Sequence, residues 1–285
     1  MLLGLNGATT MKADLETDIR VTAEAGYGFL EIWAAKLSDY LQRKSIAELK
    51  QTLSASGVHP LSINALENIT FQSPDRFEQI KRECAVLCER AGALGCRFVV
   101  AVPSQLPPAG ATREEARRES IDKLKILLGI AKPHGVGVAF EFLGEPGCSV
   151  QDLALCNEIV AEVNDPYLGL VLDAFHFYSG ASTLDSISKV DPDKLFVVHM
   201  NDSEGLPLET LRDEHRLLPG EGVIPLTEIL SRIKTIGYEG VYSIELFRPE
   251  YWDWDPYQLA LQSKKSMETI LQRTWQNMPK GGMKQ

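Results

Sequence analysis

Short runs rich in Val, Ile, Leu and Phe alternate along the chain with longer stretches whose apolar residues recur every three or four positions. The short runs predict strands at 2–7, 29–34, 59–66 and 96–103, then at 137–144, 168–176, 195–202 and 241–248. The central runs are apolar on both parities, as parallel strands covered on both faces require. The intervening stretches carry helix start signals. Ser45-Ile46-Ala47-Glu48 and Thr112-Arg113-Glu114-Glu115 match the capping box, in which hydroxyl and carboxylate satisfy orphan amides reciprocally. Ser73-Pro74 places an N-cap before a first-turn proline. Cys84, Leu87, Cys88 and Ala91 form an apolar helical stripe. Gly26, Gly57, Gly95, Gly135 and Gly237 each follow a helical pattern and precede a strand, where a left-handed cap is needed.

Eight strands alternating with helices, without a Pro/Gly/Ser-rich linker, predict an α/β fold: a closed (β/α)8 TIM barrel. A length of 285 residues divided by ~150 per domain would suggest two domains. Barrels of ~250 residues are nevertheless single units, so residues 1–285 read as one barrel domain with a C-terminal helix. An open doubly wound sheet is disfavoured, because NGATT after the first strand lacks the G-x-G-x-x-G phosphate loop.

Composition changes this picture little. Hydrophobic residues make up 44% and charged residues 24%, which is ordinary for a folded domain. The net charge of −10 opposes nucleic-acid binding and otherwise serves solubility. The five cysteines include no C-x-x-C pair, which argues against a disulfide framework or zinc ribbon and for the cytoplasm. No apolar run is long enough to cross a membrane, and MLLGLNGATTMK has no signal-peptide pattern. The composition is compatible with a homo-oligomer.

Barrel chemistry sits at the C-terminal ends of the strands. There the fifth strand delivers Glu141, the sixth Asp173 and His176, the seventh His199, and the eighth Glu245. Unpaired carboxylates inside apolar runs are costly to bury, and a shared divalent cation would offset several at once. Three carboxylates and one histidine favour Mn²⁺, with Co²⁺, Mg²⁺ or Zn²⁺ also able to bind. His176 reads as a substrate hydrogen-bond donor if the chain bends after Asp173. Arg216, in the long loop after the seventh strand, could neutralise an enolate oxygen, and Trp33 and Asn6 could line the pocket. His59 and His134 fall at the opposite end. With no G-x-S-x-G or Walker motif present, this set suits proton abstraction beside a carbonyl.

The chain resembles the xylose-isomerase-like barrel superfamily of sugar isomerases and epimerases. The likeness runs nearly end to end, through NGATT, VVAVPS, EFLGEPGCSV, LVLDAFHF, RLLPGEGVIPL and ELFRPEYW. LVLDAFHF and ELFRPEYW point to the branch acting on keto-inositols. The resemblance implies that Glu141, Asp173, His199 and Glu245 bind one divalent metal, and that Glu141 and Glu245 are the acid/base pair. It implies substrate contacts at His176 and Arg216, and interconversion of 2-keto-myo-inositol and 1-keto-D-chiro-inositol through an enediol.

Three other activities exist within such barrels: a ketohexose 3-epimerase, a 3-dehydroshikimate-type dehydratase and a DNA-repair endonuclease. The nuclease needs more histidine ligands and a less acidic surface. A binding barrel without catalysis would be expected to lack one of the two glutamates. Trp252 and Trp254 either close the pocket or support a subunit contact.

Overall fold

In a computed structural model of the chain, which describes residues 1–277, eight parallel strands close into a barrel. Residues 278–285 of the expected domain lie outside the described residues. The first seven strands are β1 (Leu2–Asn6), β2 (Phe29–Trp33), β3 (His59–Leu66), β4 (Phe98–Ala101), β5 (Gly137–Glu141), β6 (Leu168–Asp173) and β7 (Leu195–Met200). A short antiparallel ribbon of β8 (Asp202–Ser203) and β9 (Arg216–Leu217) stands above the barrel, and β10 (Val241–Ile244) completes it by pairing with β7 and β1.

Around the barrel lie α1 (Leu15–Glu24), α2 (Ala34–Leu41), α3 (Ile46–Ser56), α4 (Pro74–Leu94) and α5 (Arg113–Ala131). They are followed by α6 (Leu153–Val163), α7 (Ala174–Ser179), α8 (Leu184–Ile187), α9 (Leu226–Thr235) and α10 (Pro256–Asn277). Both predicted capping boxes form, at Ser45–Glu48 and Thr112–Glu115. The five predicted cap glycines all have positive φ, from 66° at Gly57 to 90° at Gly237, where a side chain would be strained. All five cysteines are free and buried, with Cys84 and Cys88 on the inward stripe of α4.

The strand pleat decides where chemistry can appear. Side chains alternate between the barrel interior and the helical layer. Phe98, Val100, Ala139, Val171, Val197 and Val241 belong to one apolar cluster filling the interior. The alternate residues Val99, Ala101, Val138, Leu170, Leu172 and Val198 pack outward against the helices. Two residues beyond Ala139, Val171 and Val197, on the same face, stand Glu141, Asp173 and His199; Glu245 lies four beyond Val241. The interior is therefore apolar below and polar above, and the apolar base supports the polar layer.

Apart from β3, which spans the expected 59–66, the strands are shorter than the apolar runs predict. The expected strand 168–176 ends at Asp173, because its side chain accepts the backbone N–H of His176 at 2.8 Å and caps α7. The run 241–248 ends at Ile244, with one further ladder bond from Glu245 N–H to the Met200 carbonyl.

The first βα loop is locked by a buried ion pair. Lys36 Nζ donates to both Asp18 oxygens at 2.9 and 2.8 Å and to the carbonyls of Gly7 and Thr10. Burial pushes the Asp18 carboxyl up to about 6 despite Lys36. Lys36→Met strands that carboxyl, so the unfolding free energy is expected to fall by about 3–5 kcal/mol, read from urea denaturation. Adding Asp18→Asn should recover part of the loss, and an unchanged midpoint in Lys36→Met would show that the pair is dispensable.

Candidate metal centre and substrate pocket

His199 is the hub of the polar layer. Its Nδ1 lies 3.0 Å from Glu141 Oε1, 3.1 Å from Glu245 Oε2 and 3.8 Å from Asp173 Oδ2. One potential ligand atom from each of these four buried residues falls within 4.8 Å of the others. The pleat explains the convergence: Asp173 and His199 are direct neighbours across β6 and β7.

The surrounding donors differ for each carboxylate. Glu245 Oε1 accepts the side-chain amides of Asn6 and Asn64, each at 2.9 Å, while Oε2 accepts Arg216 Nη1 at 3.1 Å. Asp173 Oδ2 accepts Arg216 Nη1 at 2.7 Å and Asn201 Nδ2 at 2.8 Å. Burial works to raise the Asp173 pKa, but the Arg216 guanidinium wins and holds it well below the usual carboxylate range. Burial pushes Glu245 up to about 7, with repulsion from Glu141 adding to it against the pull of His199 and Arg216. Burial opposes charge on His199, yet Glu245, Glu31 and Glu141 together hold its pKa well above the ordinary imidazole value.

These directions describe a site with too much negative charge. Glu31, Glu141, Asp173 and Glu245 are all buried around His199, and the Arg216 guanidinium reaches only Asp173 and Glu245 among them. A divalent cation fits: the donors are three carboxylates and one imidazole nitrogen, and their surplus charge is what such an ion neutralises.

Above the quartet opens a cavity of about 340 Å³ lined by Trp33, Asn64, Glu67, Glu141, Glu145, His176, Arg216, Glu245 and Phe247, among others. His176 occupies the first turn of α7 because the chain bends after Asp173. Its Nε2 lies 3.1 Å from Arg216 Nη2. A guanidinium only donates, so this nitrogen accepts and Nδ1 carries the proton. That Nδ1–H has no partner within the protein. Arg216 is held flat, its guanidinium carbon 4.9 Å from the Phe175 ring and 5.1 Å from that of Phe247, and Asp213 accepts its Nε–H at 2.8 Å. Trp33 packs edge-on against Phe247.

The barrel that carries this quartet matches known proteins over most of the chain. The family described as xylose isomerase-like TIM barrel matches residues 19–272. An inosose isomerase of Halalkalibacterium halodurans is 39% identical over 88% of this chain and 90% of its own length. One from Bacillus subtilis is 36% identical over 96% of this chain and 99% of its own. The chain belongs to the xylose isomerase-like TIM-barrel family, in the branch of the inosose isomerases. A crystal structure of the IolI protein with a bound zinc atom superposes with a TM-score of 0.93 at 36% identity, covering 96% of this chain and 99% of that one.

The family member's pocket departs from the expected wall in one respect. Asn6 is fully buried beneath the cavity and holds Glu245 instead of facing open space. Trp252 donates to the Ala8 carbonyl at 3.1 Å, and Trp254 packs against Tyr251, so both lie outside the cavity wall. His215 accepts the Arg212 N–H within its own turn. Asp202, just beyond β7, accepts the backbone N–H groups of Ser203, Gly220 and Ile224 and so shapes the loop. Sequence reasoning missed Glu31, Asn64 and Asn201. Each had a signal, a polar residue with strand parity inside or at the end of an apolar run: FLEIW, SINAL and HMND.

A divalent cation should stabilise the metal-stripped protein by about 2.7 kcal/mol at a hundredfold excess over Kd, seen as a rise in Tm. Asp173→Asn should lose most of that rise. A proton on Glu245 competes with the ion. Because that carboxyl titrates near 7, the apparent affinity should weaken as the pH falls below about 7 and strengthen above it. Isothermal titration across that range checks the sign.

Proposed function

We propose that this chain is a divalent-metal-dependent isomerase that interconverts 2-keto-myo-inositol and 1-keto-D-chiro-inositol. The observation that carries the reading is the placement of Glu141 and Glu245. Both border the cavity, and both touch the same imidazole nitrogen from different strands. Relatives named inosose isomerase support the choice of substrate.

Glu141, Asp173, His199 and Glu245 would hold the ion. When bound, it would polarise the ketone and the adjacent hydroxyl and so acidify the hydrogen on the carbinol carbon. The hard, oxygen-rich donor set favours Mn²⁺. One of Glu141 and Glu245 takes that hydrogen as a proton, leaving an enediolate. The hydroxyl proton passes to the former carbonyl oxygen, and the other carboxyl delivers a proton to the former carbonyl carbon. The carbonyl has then moved by one carbon with no net gain or loss of atoms. Arg216, fixed between two rings, offsets the negative charge on the enediolate oxygen. The unpartnered Nδ1–H of His176 donates to a substrate oxygen.

In this reading the enzyme acts on small polyol ketones in inositol breakdown. The five free cysteines speak for the cytoplasm.

Incubation with Mn²⁺ and 2-keto-myo-inositol in D₂O is expected to give a second ketone isomer with deuterium at the exchanged carbon, read by NMR. Neither product nor deuterium would end the proposal. Fructose and tagatose in parallel should give no epimer. Glu245→Gln should lower kcat by at least about 10²–10⁴-fold and leave the fold intact by circular dichroism.

A further inference from the structure

A fourth buried carboxylate lies behind the quartet, away from the cavity. Glu31, on β2, is fully buried and does not border the pocket. Its Oε1 lies 3.0 Å from His199 Nε2, the nitrogen opposite the one that faces Glu141, Asp173 and Glu245. Its Oε2 accepts the Ser62 hydroxyl at 2.8 Å, and Asn6 Nδ2 approaches Oε1 at 3.4 Å. Ser62 and Glu31 are direct neighbours across β2 and β3, so the strand register itself sets the carboxylate's position.

Two residues earlier on the same strand, Phe29 packs against the apolar cluster that includes Leu61, Val197 and Val241. An apolar side chain at position 31 would continue that packing at no electrostatic cost. A charged one is costly there unless something uses it.

A neutral imidazole carries its proton on one nitrogen only. A lone pair on Nε2 facing a carboxylate at 3.0 Å in a dry interior is strongly repulsive, whereas an N–H there is attracted. Nε2 does not aim its hydrogen along a straight bond to Oε1, so Glu31 acts through its charge as much as through hydrogen-bond geometry. The consequence falls on the other nitrogen.

We propose that Glu31 is a positioning residue that fixes His199 as the Nε2–H tautomer and thereby presents the Nδ1 lone pair to the cation held by Glu141, Asp173 and Glu245. Glu31 touches neither substrate nor ion. It sets metal affinity through His199, with Ser62 keeping the carboxylate in place. The proposal rests on the metal-binding reading of the quartet, but not on the substrate.

The test is Glu31→Gln, which keeps the size of the side chain and removes its charge. Competition with a chromogenic chelator should show affinity for Zn²⁺ and Mn²⁺ lowered about 10–100-fold, with Glu31→Asp between wild type and Glu31→Gln. Proton–nitrogen correlation spectra of the imidazole in the zinc-loaded protein supply the reading that a merely structural role would not move. Wild type should show Nε2–H with Nδ1 bound, and Glu31→Gln a loss of that single form. Wild-type affinity and an unchanged imidazole spectrum in Glu31→Gln overturn the proposal alone. A wild-type protein that takes up no divalent ion overturns both it and the metal reading beneath it. Should Glu31→Gln fail to fold, the wild-type spectrum still decides, because zinc bound through Nε2 contradicts the assignment.

Discussion

The structure turns on an excess of buried negative charge at the upper end of the barrel. Carboxylates taken from water lose several kcal/mol of solvation each unless an opposite charge replaces it. Here four of them crowd one imidazole and one guanidinium. Much of the neighbouring architecture answers that excess. Asn6, Asn64 and Asn201 aim amide donors at Glu245 and Asp173. The apolar plug below gives the charged layer a rigid floor, and the Lys36–Asp18 pair fixes the loop that follows Asn6.

The site also divides its cationic duties by rigidity. Arg216 is pinned by carboxylates at its edges and aromatic rings on its faces, an arrangement a lysine ammonium does not reproduce. Because it donates to His176, it also settles which nitrogen of that ring is bare. Two imidazoles of one pocket thus have their tautomers assigned by opposite neighbours, His176 by a cation and His199 by an anion.

The fold was legible because its signals are local. Capping boxes, left-handed glycines and strand-length apolar runs each depend on a few adjacent residues; the caps and glycines formed where the pattern put them, and each run holds a strand, most of them shorter than the run. The convergence of Glu141, Asp173, His199 and Glu245 was legible for a related reason: barrel geometry places every strand end in one ring. What escaped the sequence depends on depth and register. Glu31 was hidden because a single acid in FLEIW looks like a solvent-facing position until the pleat and the β2–β3 register turn it inward. Asn6 was expected at the wall because height along a strand is not written in parity alone. The bend after Asp173 was missed as a helix start, since LVLDAFHF continues an apolar run through the cap.

The ribbon of β8 and β9 carries one more consequence. It pairs Ser203 with Arg216 directly, and the Glu204 N–H bonds to the His215 carbonyl, so the excursion between them is closed at its base. Residues 205–212 leave and return through that closure, with Leu211 buried in the core and Leu208 packed against it. The guanidinium of Arg216 is thus anchored by backbone pairing at the foot of this segment as well as by its carboxylate partners.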